Sequence, residues 1–266
     1  MESVVLYLGA GAGAGVLAGL FGVGGGIIMV PVLYFVFRGQ GFAAQTLFQC
    51  ATATSLAAVV FSGLSALVGH GRRRNLDPAR VGWLAVGAIA GGTAVAYVAA
   101  RAPGGGWRIA FGLFLCGVAG LVVGRKAEGA TVGEPRSFGG RCLGIGVASG
   151  MVSAAFGVGG GVVAVPMMLA VLPGVTARRA VGNSTAVLVA SAVSGTAVYL
   201  VQGRAWLGTS GASLGLVHLP AAVVLAVTAI PFAQAGAWLA HRLPERALRL
   251  AFAVLLVVTG VRMVLG

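Results

Sequence analysis

Two short polar clusters interrupt a chain that is otherwise strongly apolar. One is QTLFQCATATS (45–55), with Gln45, Thr46, Gln49, Thr52, Thr54 and Ser55; the other is AVGNSTAV (180–187), with Asn183, Ser184 and Thr185. Amides and hydroxyls are costly to bury unless they are hydrogen-bonded. In an apolar setting they can donate to a bound oxyanion, or they can bond neighbouring helices with no ligand involved. Thr54 and Ser55 occupy the places in ATATSLAA (51–58) that Asn183 and Ser184 occupy in AVGNSTAV. That recurrence marks these four as candidate anion-lining residues.

A second repeated feature has a different chemistry. The hexapeptide FGVGGG stands at 21–26 and again at 156–161, 135 residues apart. It sits in LFGVGGGIIMVPVL (20–33) and AFGVGGGVVAVPMM (155–168), so that Pro31 matches Pro166. Glycine-rich backbone disfavours continued helix. A helix restarting near Gly26 or Gly161 presents unpaired N–H groups and partial positive charge, which is an anion site without a formal cation. Gly24, Gly25 and Gly26 are therefore candidate binding residues, with Gly159, Gly160 and Gly161. The competing reading is close helix packing through small residues, which suits most of the 46 glycines. A dinucleotide fingerprint does not fit, because the strand and the downstream acid it requires are absent.

The remaining chemistry is sparse. The acids are Glu2, Asp77, Glu128, Glu134 and Glu245, all near predicted ends or loops. Cation pumps and many proton relays use a carboxylate at membrane depth, so a cation substrate is disfavoured. His218, in LVHLP, is the candidate for proton coupling; a hydrogen-bonded core histidine is the alternative. Cys50, Cys116 and Cys142 are far apart and form no CxxC pair, which suits buried small hydrophobes. No metal constellation and no nucleophile–base pair is present, so neither an enzyme, a cofactor nor a metal site is expected.

These residues need elements to position them, and the composition says which kind. Of 266 residues, 58% are hydrophobic and 9% charged, and the mean hydropathy is +1.00. Soluble domains carry about 25% charged residues. Apolar runs long enough for the ~20 residues of a spanning helix predict an all-α integral membrane protein embedded in lipid. The N-terminal MESVVLYLGAGAG lacks a basic region, so the first run is expected to stay in the mature chain. The chain reads as two homologous halves, 1–124 and 141–266, joined by a polar linker at 125–140, and RIAFGLFL (108–115) matches RLAFAVLL (249–256). Each half offers four apolar stretches: about 3–37, 44–70, 79–101 and 107–124, then about 141–173, 178–203, 212–241 and 247–265. The first of each four is too long for one crossing and is broken by its glycines, which predicts a broken or re-entrant helix pair.

The net charge is +13. Scattered through short loops, it fits the positive-inside rule and not nucleic-acid binding. If each glycine-broken stretch returns to the side it entered from, thirteen of the 18 Lys and Arg residues fall on one side. If every stretch crosses, the split is ten to eight. The first arrangement predicts inverted-topology repeats, eight to ten membrane segments and both termini outside. Inverted repeats with broken helices commonly place a substrate site where the breaks meet.

The doubled FGVGGG element with its following proline, ATSLAAVVFSGLSALVGHGR (53–72) with its basic loop, and AVGNSTAVLVASAVSG (180–195) together resemble the sulfite exporter TauE/SafE family over nearly the whole chain. That resemblance implies a multi-pass permease of the bacterial inner membrane for small sulfur-containing anions such as sulfite, thiosulfate or organosulfonates. It carries the second-half signature onto Gly182, Asn183 and Ser184. The expectation is a secondary transporter, acting as an exporter. An anion channel and a non-transporting membrane scaffold are the rivals, and a homodimer stays open.

Overall fold

A computed structural model describes residues 2–21, 25–72, 75–124, 138–172, 174–203, 213–240 and 245–265. The described residues form ten helices and one two-stranded hairpin. In chain order they are α1 (Glu2–Phe21), α2 (Gly26–Gly39), α3 (Leu47–Arg72), α4 (Pro78–Ala99), α5 (Gly104–Gly124), α6 (Phe138–Phe156), α7 (Gly161–Val171), α8 (Ala177–Gln202), β1 (Ser213–Leu214), β2 (Val217–His218), α9 (Leu219–Ala240) and α10 (Glu245–Leu265). The fold is all-α, with Ser213 paired to His218 and Leu214 to Val217 in the hairpin.

Local chemistry sets several boundaries. Asp77 caps α4: it is extended, its Oδ1 accepts from the Arg80 N–H, and Pro78 takes the first helical position. Thr176 caps α8 in the same way, accepting from the Arg179 N–H. The short helices α2 and α7 start from glycine with no side-chain cap, and each carries a proline, Pro31 and Pro166. The breaks fall at the two FGVGGG elements: α1 ends at Phe21 and α2 starts at Gly26, while α6 ends at Phe156 and α7 starts at Gly161.

The packing partners exchange between the first five helices and the last five. The long α3 and α8 lie against each other; α1 packs on α9 and α4 on α6; α5 and α10 pair. Glycines make these contacts close. A Cβ on Gly87 would sit 2.3 Å from the Leu143 carbonyl oxygen, and one on Gly112 would sit 2.6 Å from that of Gly260. The packing role expected of most glycines is the observed one at these crossings.

Two hydrogen bonds tie the far ends of the broken pairs. The Tyr7 hydroxyl, near the start of α1, reaches Gln40 just past α2 at 3.0 Å, and Arg141, near the start of α6, donates to the Val171 carbonyl at the end of α7 at 3.3 Å. Among the described residues three helices are long and apolar enough to cross a membrane by length and composition, within Leu47–Arg72, Pro78–Ala99 and Arg178–Gln202. Shorter apolar helices accompany them, including Gly26–Gly39 and Gly161–Val171. Trp83 and Val86 on α4, Leu113 on α5 and Val223 on α9 are exposed, as a lipid-facing surface would be.

Candidate functional site

The polar clusters sit on the two central helices. Thr54 and Ser55 lie in the second turn of α3, Asn183 and Ser184 in the second turn of α8, and all four are buried. Thr54 Oγ1 accepts from the backbone N–H of His218, which immediately precedes α9, at 3.0 Å. Asn183 Oδ1 accepts from the backbone N–H of Asp77, which immediately precedes α4, at 2.9 Å. The matching residues therefore do the same job: each ties a central helix to the start of a helix 100 residues or more away in sequence. The two tethered residues also match. His218 Nδ1 accepts from the Ala221 N–H three residues on, as Asp77 Oδ1 accepts from Arg80.

The environments of those two helix starts differ. Asp77 Oδ2 pairs with Arg80 Nε at 3.2 Å, and the guanidinium lies 5.4 Å from the centre of the Phe138 ring. The His218 ring lies among Tyr7, Phe37 and Phe42, with centroids 5.4 to 6.0 Å away. His218 closes the hairpin that leads into α9.

The glycine loops meet each other. Gly26, the first residue of α2, packs so tightly on the second loop that a Cβ there would lie 2.2 Å from the Gly157 carbonyl oxygen and 2.8 Å from the Val158 Cα. Gly25 (φ 77°), Gly157 (φ 68°) and Gly159 (φ 68°) are in the left-handed region, which a side chain would strain. Ser55 donates to the same Gly157 carbonyl at 2.9 Å, joining α3 to the second loop. At the start of α7, Gly160 lies against Ser149 and Val187, and Gly161 faces Ser184 Oγ. Ser184 donates to its own helix at the Val181 carbonyl, 2.8 Å.

The structure thus brings Gly25, Gly26, Ser55, Gly159, Gly160, Gly161 and Ser184 around one junction of the two loops. Thr54 and Asn183, one residue away on each helix, turn to the starts of α9 and α4. Gly24 lies outside the described residues. Gln49 is buried and donates to the Ala99 and Ala102 carbonyls, fastening α3 to the end of α4, while Gln45 is exposed. Sequence reasoning passed over Ser149, Ser153 and Ser191. Ser149 and Ser153 lie on α6 and Ser191 on α8; all three are fully buried. Ser191 and Ser153 bond each other at 2.8 Å, whereas Ser149 Oγ, Thr52 Oγ1 and Asn183 Nδ2 have no partner among the described residues. Spaced four apart in GVASGMVSAAF, Ser149 and Ser153 look like small packing residues; only their burial reveals polar groups in need of partners.

No cluster of His, Cys, Asp or Glu with metal-binding geometry occurs among the described residues. What the junction offers is a concentration of buried donors around helix starts. The model of the sulfite exporter TauE/SafE family matches residues 7–263. The chain belongs to that family. It is 30% identical over 270 residues to a probable membrane transporter protein of Haemophilus influenzae, covering 98% of each chain. It is 26% identical over 264 residues to one of Methanocaldococcus jannaschii, covering 94% of this chain and 91% of that one. A Bacillus subtilis protein of the same description is 27% identical over 225 residues, covering 77% of this chain and 81% of that one. No solved structure matches. This TauE/SafE member is a membrane transporter, and its exposed apolar helix faces are the surface such a protein turns to lipid.

Proposed function

We propose that this TauE/SafE protein is a secondary transporter that exports small sulfur-containing anions, such as sulfite, thiosulfate or organosulfonates, across the inner membrane. The observation that carries the reading is the junction of the two glycine loops, where α2 and α7 begin buried and uncapped beside polar residues of α3, α6 and α8. Helix starts of that kind favour an anion. The anion is held by backbone N–H groups of Gly24, Gly25 and Gly26 and of Gly159, Gly160 and Gly161 in turn, with Thr54 and Asn183 adjoining. Ser55 and Ser184 shape the loops, since their protons are given to the Gly157 and Val181 carbonyls.

The halves 1–124 and 141–266, with the linker 125–140, are read as inverted repeats. The exchange of packing partners supports this. So do the Tyr7–Gln40 and Arg141–Val171 bonds, which fit α1–α2 and α6–α7 as re-entrant pairs ending on the side where they began. Export of an anion from a negative interior runs downhill, by about 2.3 kcal/mol per charge per 100 mV.

The test is flux from proteoliposomes loaded with labelled sulfite, in competition with thiosulfate, sulfoacetate, sulfate and chloride. Saturable efflux, accelerated by an outside-positive potential and blocked by one sulfur anion, is the expected result. Flux that never saturates identifies a channel. Absence of flux above empty vesicles for every anion, from folded protein, overturns the transport of sulfur anions and leaves the scaffold.

A further inference from the structure

The two glycine loops match in sequence but not in their surroundings. The start of α2 is filled by protein: Gly26 lies directly on the Gly157–Val158 backbone. The start of α7 lies instead against α6 and α8: the Ser149 carbonyl oxygen and a Val187 methyl each lie 3.0 Å from the point where a side chain on Gly160 would begin, and Ser184 Oγ lies 3.7 Å from the same point on Gly161. Ser149 on α6 is fully buried, its Oγ has no hydrogen-bond partner among the described residues, and its Cβ lies 3.2 Å from the point where a side chain on Gly160 would begin. One turn along α6, Ser153 is already bonded to Ser191. At the positions of the first half that match Ser149 and Ser153 by the FGVGGG spacing, the chain has Ala14 and Ala18.

An unpartnered buried hydroxyl is a standing cost. Beside the first, unpaired N–H groups of an 11-residue helix, it adds one hydroxyl that is free to donate. Together these donors are complementary to a group made only of acceptors. We infer that the two loops are unequal: the anion is recognised chiefly at the start of α7, in the second half, and Ser149 is a specificity-determining side chain that donates to one of its oxygens. The inference rests on the transport reading above and gives the selective contact to one of the two loops. The ligand class is an oxyanion with two or more acceptor oxygens on one face, so that the hydroxyl and the N–H groups engage together.

The experiment uses the full chain in proteoliposomes with labelled sulfite, comparing wild type, Ser149→Ala and Ser62→Ala, with the melting temperature of each in detergent. Ser62, on α3, bonds its own helix at Val59 and no other group among the described residues. The expected result is an increase of about tenfold in the KM for sulfite in Ser149→Ala, with the maximal rate held, as loss of one hydrogen bond to a charged group predicts. Its melting temperature should be equal to or above that of wild type, because the hydroxyl has no partner to lose among the described residues. Ser62→Ala should keep the wild-type KM. Wild-type transport with an unchanged KM in Ser149→Ala overturns the inference and leaves the transport reading intact; it would mean that a water satisfies this hydroxyl. A Ser149→Ala protein that fails to fold also overturns it, since the hydroxyl would then be structural. If wild type itself shows no saturable flux, both readings fall.

Discussion

The Ser55 hydroxyl and the missing side chain of Gly26 meet at one atom, the Gly157 carbonyl oxygen. That oxygen is buried between the halves, and Ser55 is its donor. Replacing Ser55 by Ala should lower stability by about 1–3 kcal/mol, because it leaves an unsatisfied buried acceptor; denaturant titration in detergent measures it. Gly26→Ala should be worse, since its Cβ would lie 2.2 Å from backbone oxygen that cannot swing aside. Gly13→Ala is the matched control, because nothing lies within 4 Å of a Cβ there. A drop in folded yield for Gly26→Ala with Gly13→Ala at wild-type yield is the expected outcome. The repetition that exposed these residues was legible in the sequence, because FGVGGG is written twice. Their contacts were not: Ser55 and Gly157 are 102 residues apart, and no local pattern encodes which hydroxyl reaches which carbonyl.

At the scale of elements, the starts of α4 and α9 are the informative parts. Asp77 caps α4, holds Arg80 and donates its N–H to Asn183. Asp77→Ala removes the cap, worth about 1 kcal/mol, and strips a half-buried guanidinium of its counter-ion. Replacing Arg80 as well should recover part of the loss, since the uncompensated charge goes with it. Thermal unfolding of Asp77→Ala, Arg80→Ala and the double variant measures this, and a double loss equal to the sum of the two single losses would show that the pair is uncoupled. The breaks in the first stretch of each half follow from the glycines, and the element boundaries fall there, while Pro31 and Pro166 lie inside the helices that follow. The hairpin 213–218 was hidden within the stretch 212–241. Two strands of two residues each, turning through Gly215 at φ 60°, are too short to show alternation inside an apolar run. The tether from Asn183 was half legible: its recurrence with Thr54 singled it out, but recurrence alone could not say that both serve the start of another helix.

For the whole molecule, the testable quantity is orientation. The described parts of Cys50 and Cys142 are buried and Cys116 is partly so, which favours introduced cysteines as reporters in a chain with Cys116 replaced by Ser. Under the inverted arrangement, a cysteine at Gly41 should react with a membrane-impermeant maleimide added to intact cells. One at Glu128, in the linker, should react only after the membrane is opened. Labelling of both from outside would exclude the arrangement. Charge counting and the glycine breaks led to this orientation from sequence, because both are carried by residue type and order. Which helix packs on which was not available at that level: apolar helices of similar composition have no sequence label for their partners.

That pairing has a consequence for how the protein is made. Helix α1 packs mainly on α9, which starts at Leu219, almost 200 residues after α1 ends at Phe21. At ~5–20 residues per second of synthesis, α1 waits about 10–40 s before its partner begins to emerge. During that time its glycine-lined face, with Gly11 and Gly15 waiting for Thr228 and Ala229, has only lipid against it. Helix α1 can thus meet α2 early but must wait for its main native neighbour until most of the chain has been made, which leaves that face open to capture by other membrane proteins in the interval.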